Sequence, residues 1–256
     1  MNILVANDDG IQAQGLRELV GALHDRAKAS VFVCAPDGQR SAASHAITLR
    51  GTVDVRETTY EKAEKAFMLS GTPADCVVVG LRVLKDLGIT IDMVFTGINH
   101  GSNLGTDTVY SGTVGSAMEG SIQGIPSVAV SVDSHQAKYF EYACDLAVET
   151  IEKTGGKWDP DIMLNINTPN LPKDQIKGIR YTKIGDREYD NDIQHVSSEN
   201  GVSTYKYGGD ARHYSVDLED NDVIAIQNGY ASITPMQRDM TAPQAMAQLN
   251  EWRIGK

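Results

Sequence analysis

The first two-thirds of the chain alternates short apolar runs with longer stretches whose apolar residues recur at helical spacing. The apolar runs predict buried strands over residues 2–6, 30–35, 92–95, 126–132 and 162–166. The helical spacing predicts helices over residues 16–23, 72–84, 113–123 and 139–153. Strands that alternate with helices are typical of a parallel sheet covered on both faces. We therefore predict an α/β fold, with a Rossmann-like, mostly parallel sheet and helices on both of its faces.

The pattern changes after Pro169. Residues 176–184 alternate apolar and polar side chains, as a half-exposed strand does, and residues 223–226 and 231–233 predict two late strands. Residues 185–217 are polar and poor in core-forming side chains, which predicts a protruding C-terminal β-hairpin arm. Residues 242–254 predict a closing helix. We interpret residues 1–256 as a single domain with a core of about 1–184 and 218–240.

Composition and charge narrow the set of partners. The formal net charge is −11 and the Lys and Arg residues are scattered, which argues against nucleic acid as a partner. No apolar run approaches the length of a membrane span, and the N-terminus lacks the pattern of a secretion signal. Cys34, Cys76 and Cys144 lie in apolar contexts, as buried thiols do. These features predict a cytoplasmic protein that binds neither nucleic acid nor a membrane.

Polar segments follow three of the predicted strands, where parallel sheets bind their ligands. Asp8 and Asp9 follow the first strand, Ser41 lies in the loop after the second, and Asn99 follows the strand over residues 92–95. Their oxygen atoms make a ligand set that suits Mg²⁺, Mn²⁺ or Ca²⁺ better than zinc. The alternative interpretation of the Asp-Asp-Gly sequence is a plain turn that caps the next helix, and that alternative stays open here.

A second group of residues predicts a phosphate site. The glycine-rich residues 101–105 contain Asn103 and precede a helix start at Ser111, Gly112 and Thr113. Free N–H groups at a helix start bind phosphate, although an ordinary cap without a ligand would have the same sequence. His100 directly follows Asn99, which gives weak support for a role in binding or proton transfer.

Motifs of several enzyme classes are absent from the sequence. There is no G-x-x-x-x-G-K-[ST], no H-E-x-x-H, no G-x-S-x-G, and no G-x-G-x-x-G after the first strand. These absences argue against P-loop NTPases, zincins, serine hydrolases and dinucleotide dehydrogenases. The D-x-D-x-T run of aspartyl-phosphate phosphatases is also absent.

Four blocks in order resemble the stationary-phase survival protein SurE family of nucleotidases, over essentially the whole chain. The blocks are residues 3–10, 35–41, 71–76 and 97–105, the last of which continues through residues 110–114 and 117–120. The resemblance implies one divalent cation per subunit, Mg²⁺ or Mn²⁺ with Ca²⁺ as an alternative occupant in crystals. It implies that the cation is held by Asp8, Asp9, Ser41 and Asn99.

The resemblance also implies a 5′-nucleotidase, with 3′-monophosphates and short polyphosphate as further substrates of some members. The chain departs from the family pattern at Ala42, where Gly is usual, at Thr96, where Ser is frequent, and at Pro243, where His is frequent. The last change puts subunit contacts and substrate preference in doubt but leaves the ligand set intact. The polar arm and the closing helix predict a homodimer or homotetramer.

These observations predict a metal-dependent phosphomonoesterase that acts on nucleoside monophosphates. Asp8 or Asp9 would orient the attacking water or accept its proton. Amides near Asn103 and the helix start at Ser111, Gly112 and Thr113 would stabilise the phosphate oxygens. Two alternatives are a calcium-dependent nucleoside hydrolase and a nucleotide-binding or stress-signalling module with an inactive site.

Overall fold

The computed structural model describes residues 1–189, 192–208, 211–212 and 221–253. The strands are β1 (Asn2–Ala6), β2 (Ser30–Pro36), β3 (Val55–Thr58), β4 (Lys65–Leu69), β5 (Met93–His100), β6 (Ser127–Asp133), β7 (Ile162–Pro169), β8 (Ile179–Tyr181), β9 (Glu188–Tyr189), β10 (Asp192–Glu199), β11 (Val202–Gly208), β12 (Ala211–Arg212) and β13 (Ala231–Gln237). The helices are α1 (Gln14–Asp25), α2 (Pro73–Asp86), α3 (Gly112–Ile122), α4 (Glu141–Thr154), α5 (Asp222–Gln227) and α6 (Met246–Trp252). Short 3₁₀ turns span Gly105–Val109, Lys173–Gln175 and Pro243–Ala245.

A nine-stranded sheet forms the centre, in the order β3-β4-β2-β1-β5-β6-β7-β13-β8. Strands β4, β2, β1, β5, β6 and β7 are mutually parallel, while β3 and β13 each run antiparallel to a neighbour. Helices α1 and α4 cover one face, and α2 and α3 cover the other. The central strands are buried because both of their faces are covered, which explains their continuous apolar runs. The predicted fold class is confirmed.

The order of the strands places the carboxyl ends of β2, β1 and β5 side by side. Strand β1 is paired with β2 on one side and with β5 on the other. Polar residues that follow these strands therefore meet at one edge of the sheet. All three cysteines are buried and free.

The second half of the chain differs from the sequence prediction at several points. Residues 223–226, predicted as a strand, belong to α5, because Asn221 caps that helix by accepting a hydrogen bond from the N–H of Ile224 at 2.8 Å. A short apolar run fits a helix or a strand equally well, and the cap decides between them. Strands β3 and β4, at one edge of the sheet, were not predicted; β3 is mostly exposed and has no apolar run.

The arm contains an antiparallel hairpin of β10 and β11, with a short ladder of β9 and β12 at its base. Residues 190–191, 209–210 and 213–220 of the predicted arm and core lie outside the described residues. The predicted closing helix begins as the 3₁₀ turn at Pro243, the position of the unusual proline, and continues as α6. Residue 254 lies outside the described part. None of the helices in the described ranges is both long enough and apolar enough to span a bilayer. The cytoplasmic location stays a prediction.

Candidate active site

A cavity of about 820 Å³ lies at the carboxyl edge of the sheet. Its volume falls in the range that is usual for small-molecule sites. The side chains that line it come from the segments after β1, β2 and β5, from the turn before α3, and from the root of the arm. They are Asp8, Gln39, Ser41, Ala42, Asn99, His100, Gly101, Ser102, Asn103, Thr106, Asp107, Tyr110, Ser111, His135, Arg187 and Tyr189.

Asp8 is buried and is held by the first turn of α3. The hydroxyl of Thr113 donates a hydrogen bond to Asp8 Oδ1 at 2.6 Å, and the N–H of Thr113 donates to Oδ2 at 3.2 Å. A Cβ on Gly112 would lie only 2.9 Å from Asp8 Oδ2, so this position has room only for glycine. The helix start therefore fixes the carboxylate in one orientation.

Burial raises the pKa of Asp8 to about 6, and the hydrogen bond from Thr113 opposes that rise. The neighbouring negative charge of Asp9 raises the pKa of Asp8 further. A cation placed between the two carboxylates would reverse both unfavourable effects. The electrostatics of the pair thus fit a site for a positive ion.

Asp9 is oriented by His100. The backbone N–H of His100 donates to Asp9 Oδ2 at 3.2 Å, and His100 Nδ1 lies 3.3 Å from the same oxygen. The imidazole ring packs edge-on against Phe140, with ring centroids 5.3 Å apart. His100 lines the cavity, whereas Asp9 does not.

Asn99 reaches the cavity because strand β5 is distorted just before it. The β5–β6 ladder pairs Thr96 with Ala129 and Asn99 with Ser131, so β5 contains one extra residue and forms a bulge. Gly97 lies in this bulge with a φ of +122°. Asn99 was predicted to follow a strand that ends at residue 95, but it lies within β5, which continues through His100.

The amide of Asn99 presents its oxygen. Its Nδ2 donates to the carbonyl of Gly101 at 2.8 Å, and Oδ1 has no partner among the described residues. A free amide oxygen in a cavity is a suitable ligand for a hard cation.

Ser41 lies in the long segment between β2 and β3 and is exposed. The backbone N–H of Arg40 donates to the carbonyl oxygen of Asp8 at 2.7 Å, which brings the segment to the end of β1. Ala42 has a φ of +54°, a left-handed conformation that glycine adopts without steric cost. Glycine, the residue expected here from the resemblance, would avoid the steric cost that Ala42 bears in this conformation.

The donor set fits a hard divalent cation and does not fit zinc. Within the described ranges, no group of three or more His, Cys, Asp and Glu side chains is arranged to hold a metal. Beside Asp8 and Asp9, the hydroxyl of Ser41 and the amide oxygen of Asn99 are available to a cation at this edge of the sheet. All four ligands offer oxygen, which Mg²⁺, Mn²⁺ and Ca²⁺ prefer.

The residues predicted to bind phosphate divide into two pairs. Ser111 and Asn103 line the cavity, whereas Gly112 and Thr113 do not. Ser111 is the cap of α3 and accepts a hydrogen bond from the N–H of Val114 at 3.0 Å. Thr113 holds Asp8 instead of facing the cavity, because its hydroxyl and its N–H are both donated to that carboxylate.

Asn103 is already engaged by neighbouring side chains. Its backbone N–H donates to Asn167 Oδ1 at 2.8 Å, so this amide does not point freely at a ligand as we predicted. Its Nδ2 donates to Ser131 Oγ at 2.7 Å. Among the described residues, the second hydrogen of Asn103 Nδ2 and its Oδ1 have no partner, so these atoms can contact a ligand.

Sequence reasoning missed the wall of the cavity that the arm provides. Arg187 Nη1 donates to Asp107 Oδ2 at 2.8 Å and to Ser102 Oγ at 3.1 Å. The Tyr189 hydroxyl donates to the same oxygen of Asp107 at 2.6 Å, and burial raises the pKa of Tyr189 to about 12. The sequence gives no signal for this wall, because an arginine and a tyrosine in a polar segment look like solvated residues.

A scan against protein families matches residues 3–191 to the family described as survival protein SurE. The 5′-nucleotidase SurE of Synechococcus elongatus is 38% identical over 98% of this chain and 98% of its own length. The protein of the same name from Gloeobacter violaceus is 41% identical over 94% of this chain and 91% of its own length. The crystal structure of the SurE protein from Aquifex aeolicus superposes with a TM-score of 0.82 at 34% identity, covering 98% of this chain and 99% of that one.

Proposed function

Because this chain belongs to the survival protein SurE family, we propose that it is a metal-dependent 5′-nucleotidase that hydrolyses nucleoside 5′-monophosphates to nucleoside and phosphate. The names of the relatives support the nucleotidase activity. The observation that supports the metal dependence is the meeting of Asp8, Ser41 and Asn99 at one cavity, with Asp9 beside them. We propose 3′-monophosphates and short polyphosphate as further substrates.

Asp8, Asp9, Ser41 and Asn99 would hold one Mg²⁺ or Mn²⁺ ion. When bound, such an ion neutralises phosphate charge and makes an attacking water more acidic. Asp8 is fixed by Thr113, and Asp9 is fixed by His100. A rigid carboxylate orients a water molecule without losing conformational entropy at each turnover, so either aspartate can direct the water or accept its proton.

The substrate phosphate would lie beside Ser111 and Asn103, which face the cavity. Gly112 and Thr113 would not contact the phosphate; they shape the start of α3 and orient Asp8. The cavity is larger than a phosphate group requires, and its lining also includes Tyr110 and Tyr189. Two aromatic side chains give a nucleoside an apolar surface for stacking.

A panel of substrates tests this proposal directly. We expect Mn²⁺ or Mg²⁺ to support phosphate release from nucleoside 5′-monophosphates, and a chelator to abolish it. Phosphodiesters such as single-stranded DNA should be poor substrates, because the acidic chain offers no track for a polyanion. The measurement is inorganic phosphate released from 5′- and 3′-nucleotides, polyphosphate and DNA against a series of metals. Internal cleavage of DNA at a comparable rate would contradict the monophosphate assignment.

The products of the same reaction separate the alternatives. A nucleoside hydrolase would release free base and leave the phosphate ester intact. A binding module with an inactive site would bind nucleotides without turnover. The free amide oxygen of Asn99 and the paired Asp8 and Asp9 favour an active metal site over the binding module. The relatives' name, 5′-nucleotidase, favours the phosphatase over the nucleoside hydrolase.

We also propose that the chain forms a homodimer or homotetramer. One face of the hairpin exposes Ile193 and Tyr205, and the closing helix exposes Met246, Leu249 and Trp252. Exposed apolar groups on extended elements are typical of contacts between subunits. Light scattering should therefore give at least twice the monomer mass at micromolar concentration.

A double variant, Ile193→Asp with Tyr205→Asp, should shift the mass towards the monomer because it places charge on this apolar face. The matched control is Gln194→Asp with Thr204→Asp, which adds the same charge on the opposite face of the hairpin. A monomeric wild type would contradict the prediction.

A further inference from the structure

One block of the sequence has no place in the site described above, namely residues 71–76. In the structure this block starts helix α2, where Thr72 and Asp75 form a capping box with Pro73 in the first turn. The N–H of Thr72 donates to Asp75 Oδ2 at 2.9 Å, and the N–H of Asp75 donates to Thr72 Oγ1 at 3.1 Å. A capping box fixes the position of its acidic side chain.

Asp75 also binds a residue far away in the sequence. The N–H of Thr48 donates to Asp75 Oδ1 at 2.9 Å, and the hydroxyl of Thr48 donates to Oδ2 at 2.7 Å. Burial alone would raise the pKa of Asp75, but the hydrogen bonds from Thr48 and Thr72 outweigh it and hold the pKa below its ordinary value. The carboxylate is therefore charged at neutral pH, and hydrogen bonds to a charged acceptor are the stronger kind.

Thr48 belongs to the same irregular segment as Ser41, between the end of β2 and the start of β3. Around Thr48 this segment is not held by apolar burial, because Ile47 is 44% exposed and Leu49 is 82% exposed; Val53, nearer β3, packs against the core. It also contains strain, since Ala42 and Ser44 both adopt left-handed backbone conformations. Such residues keep their conformation only where the surroundings determine it.

Hydrogen bonds to neighbouring elements hold the segment in this conformation. At the Ser41 end, Arg40 is bound to Asp8, and Ser44 is bound through its N–H and its hydroxyl to the carbonyls of Tyr110 and Val109. Further along the segment, Thr48 donates two hydrogen bonds to Asp75. The hydroxyl of Thr72 also donates to the carbonyl oxygen of Ala46, at 2.6 Å. The acceptor for Thr48 is the charged carboxylate of Asp75, and Asp75 belongs to α2, which packs into the core. We call this contact between Thr48 and Asp75 the anchor.

From these contacts we infer that Asp75 is a positioning residue for the cation site: it fastens the segment at Thr48 and so keeps Ser41 at the cavity. The inference rests on the proposed function for the role of Ser41. Asp75 touches neither substrate nor cation in this scheme. Its effect passes through Thr48 and the strained turn, and it determines how much of the ligand set is already in place before the cation arrives.

The variant that tests this is Thr48→Val, which removes one hydrogen bond to Asp75 and leaves the capping box of α2 intact. The control is Thr52→Val, on the same exposed segment, where the hydroxyl has no partner among the described residues. Trypsin can report on the segment through Arg50, which is exposed just after Thr48. In chelator, cleavage after Arg50 should be about three- to tenfold faster in Thr48→Val than in the wild type. The control should be cleaved at the wild-type rate.

The second measurement is the Mn²⁺ concentration that gives half of the melting shift. It should rise in Thr48→Val by a factor similar to the change in cleavage, and kcat at saturating Mn²⁺ should return close to the wild-type value. Asp75→Asn should enlarge both effects. Should Asp75→Asn fail to fold because its cap is also weakened, Thr48→Val still decides.

Equal cleavage and equal Mn²⁺ dependence in Thr48→Val and Thr52→Val would overturn the inference, because Asp75 would then be only a helix cap. A wild-type protein without phosphatase activity would overturn the proposed function instead. The proteolysis and melting data do not depend on turnover, so they would support or overturn the anchor in either case.

Discussion

Replacement of Asp8 by asparagine should abolish metal-stimulated turnover while leaving the metal-free protein at least as stable as the wild type. Asp8 is buried beside Asp9, so its negative charge is unfavourable without a cation. Asparagine removes that charge. It can still accept the hydrogen bond from the Thr113 hydroxyl, although it loses the contact with the Thr113 N–H. The two effects oppose each other, and we expect the gain to equal or exceed the loss.

The pH dependence of the metal-free proteins separates these effects. The pKa of Asp8 rises on folding from 3.8 to about 6. The stability associated with this shift is fully present below pH 3.8 and is lost as the pH rises through about 6. In chelator, the wild type should therefore lose stability relative to Asp8→Asn over that interval. Thermal melts at several pH values in chelator would measure the difference.

With Mn²⁺ the order should reverse. A hundredfold excess of the cation over its Kd stabilises the wild type by about 2.7 kcal/mol. For a chain of this size, each kcal/mol raises Tm by roughly 2–4 °C. The variant should lose most of this shift, because a neutral amide is a weaker ligand for a hard cation. Asp174→Asn, at an exposed position, is the matched control and should keep both shift and activity.

The alternative role of Asp8, as a plain turn residue or helix cap, predicts the opposite outcome. The variant would then lose about 1 kcal/mol or less without metal and would keep its metal response. A variant with the wild-type melting shift and turnover would remove Asp8 from the site.

Replacement of Gly97 by alanine should lower the stability of the protein strongly. A Cβ at this position would lie 2.2 Å from the carbonyl oxygen of Val130, and the backbone φ of +122° is unfavourable for any side chain. The bulge in β5 must then move away from β6. We expect a loss of about 3 kcal/mol or more, since backbone strain and lost ladder contacts add together. Thermal melts in chelator would measure it.

The same variant should lose its Mn²⁺ response, because Asn99 depends on the bulge for its direction. Gly124→Ala is the control: its φ is also positive, at +78°, but an added Cβ has nothing within 4 Å. That control should cost about 1 kcal/mol and keep the metal response. A Gly97→Ala protein with wild-type Tm would show that β5 and β6 separate easily at this point.

The sequence was informative wherever a local pattern had one physical meaning. Continuous apolar runs predicted the central strands, because only strands covered on both faces need such runs. Asp8, Asp9, Ser41 and Asn99 could be grouped because parallel strands end at a common edge. The bulge at Gly97 could not be predicted in this way, because no local sequence pattern distinguishes a glycine in a bulge from a glycine in a loop.

Contacts between segments that are distant in the sequence could not be predicted from local patterns. Thr113 at a helix start predicts a phosphate contact or a cap, and only the structure shows that it binds Asp8. Arg187 and Tyr189 sit among polar residues, where a solvated role is the usual one. Helix α5 was predicted as a strand because a four-residue apolar run is too short to distinguish the spacing of a helix from that of a strand.

The contacts of Arg187 and Tyr189 with Asp107 have a consequence for the evolution of the hairpin. Loops that protrude from a core are usually free to lengthen, shorten or be exchanged between relatives. Here Arg187 and Tyr189, at the root of the arm and just before the hairpin, also line the cavity. We therefore expect an insertion or deletion at residues 187–189 to change the lining of the cavity as well as the outer surface. A change in the length of the arm at its root is therefore also a change in the lining of the cavity.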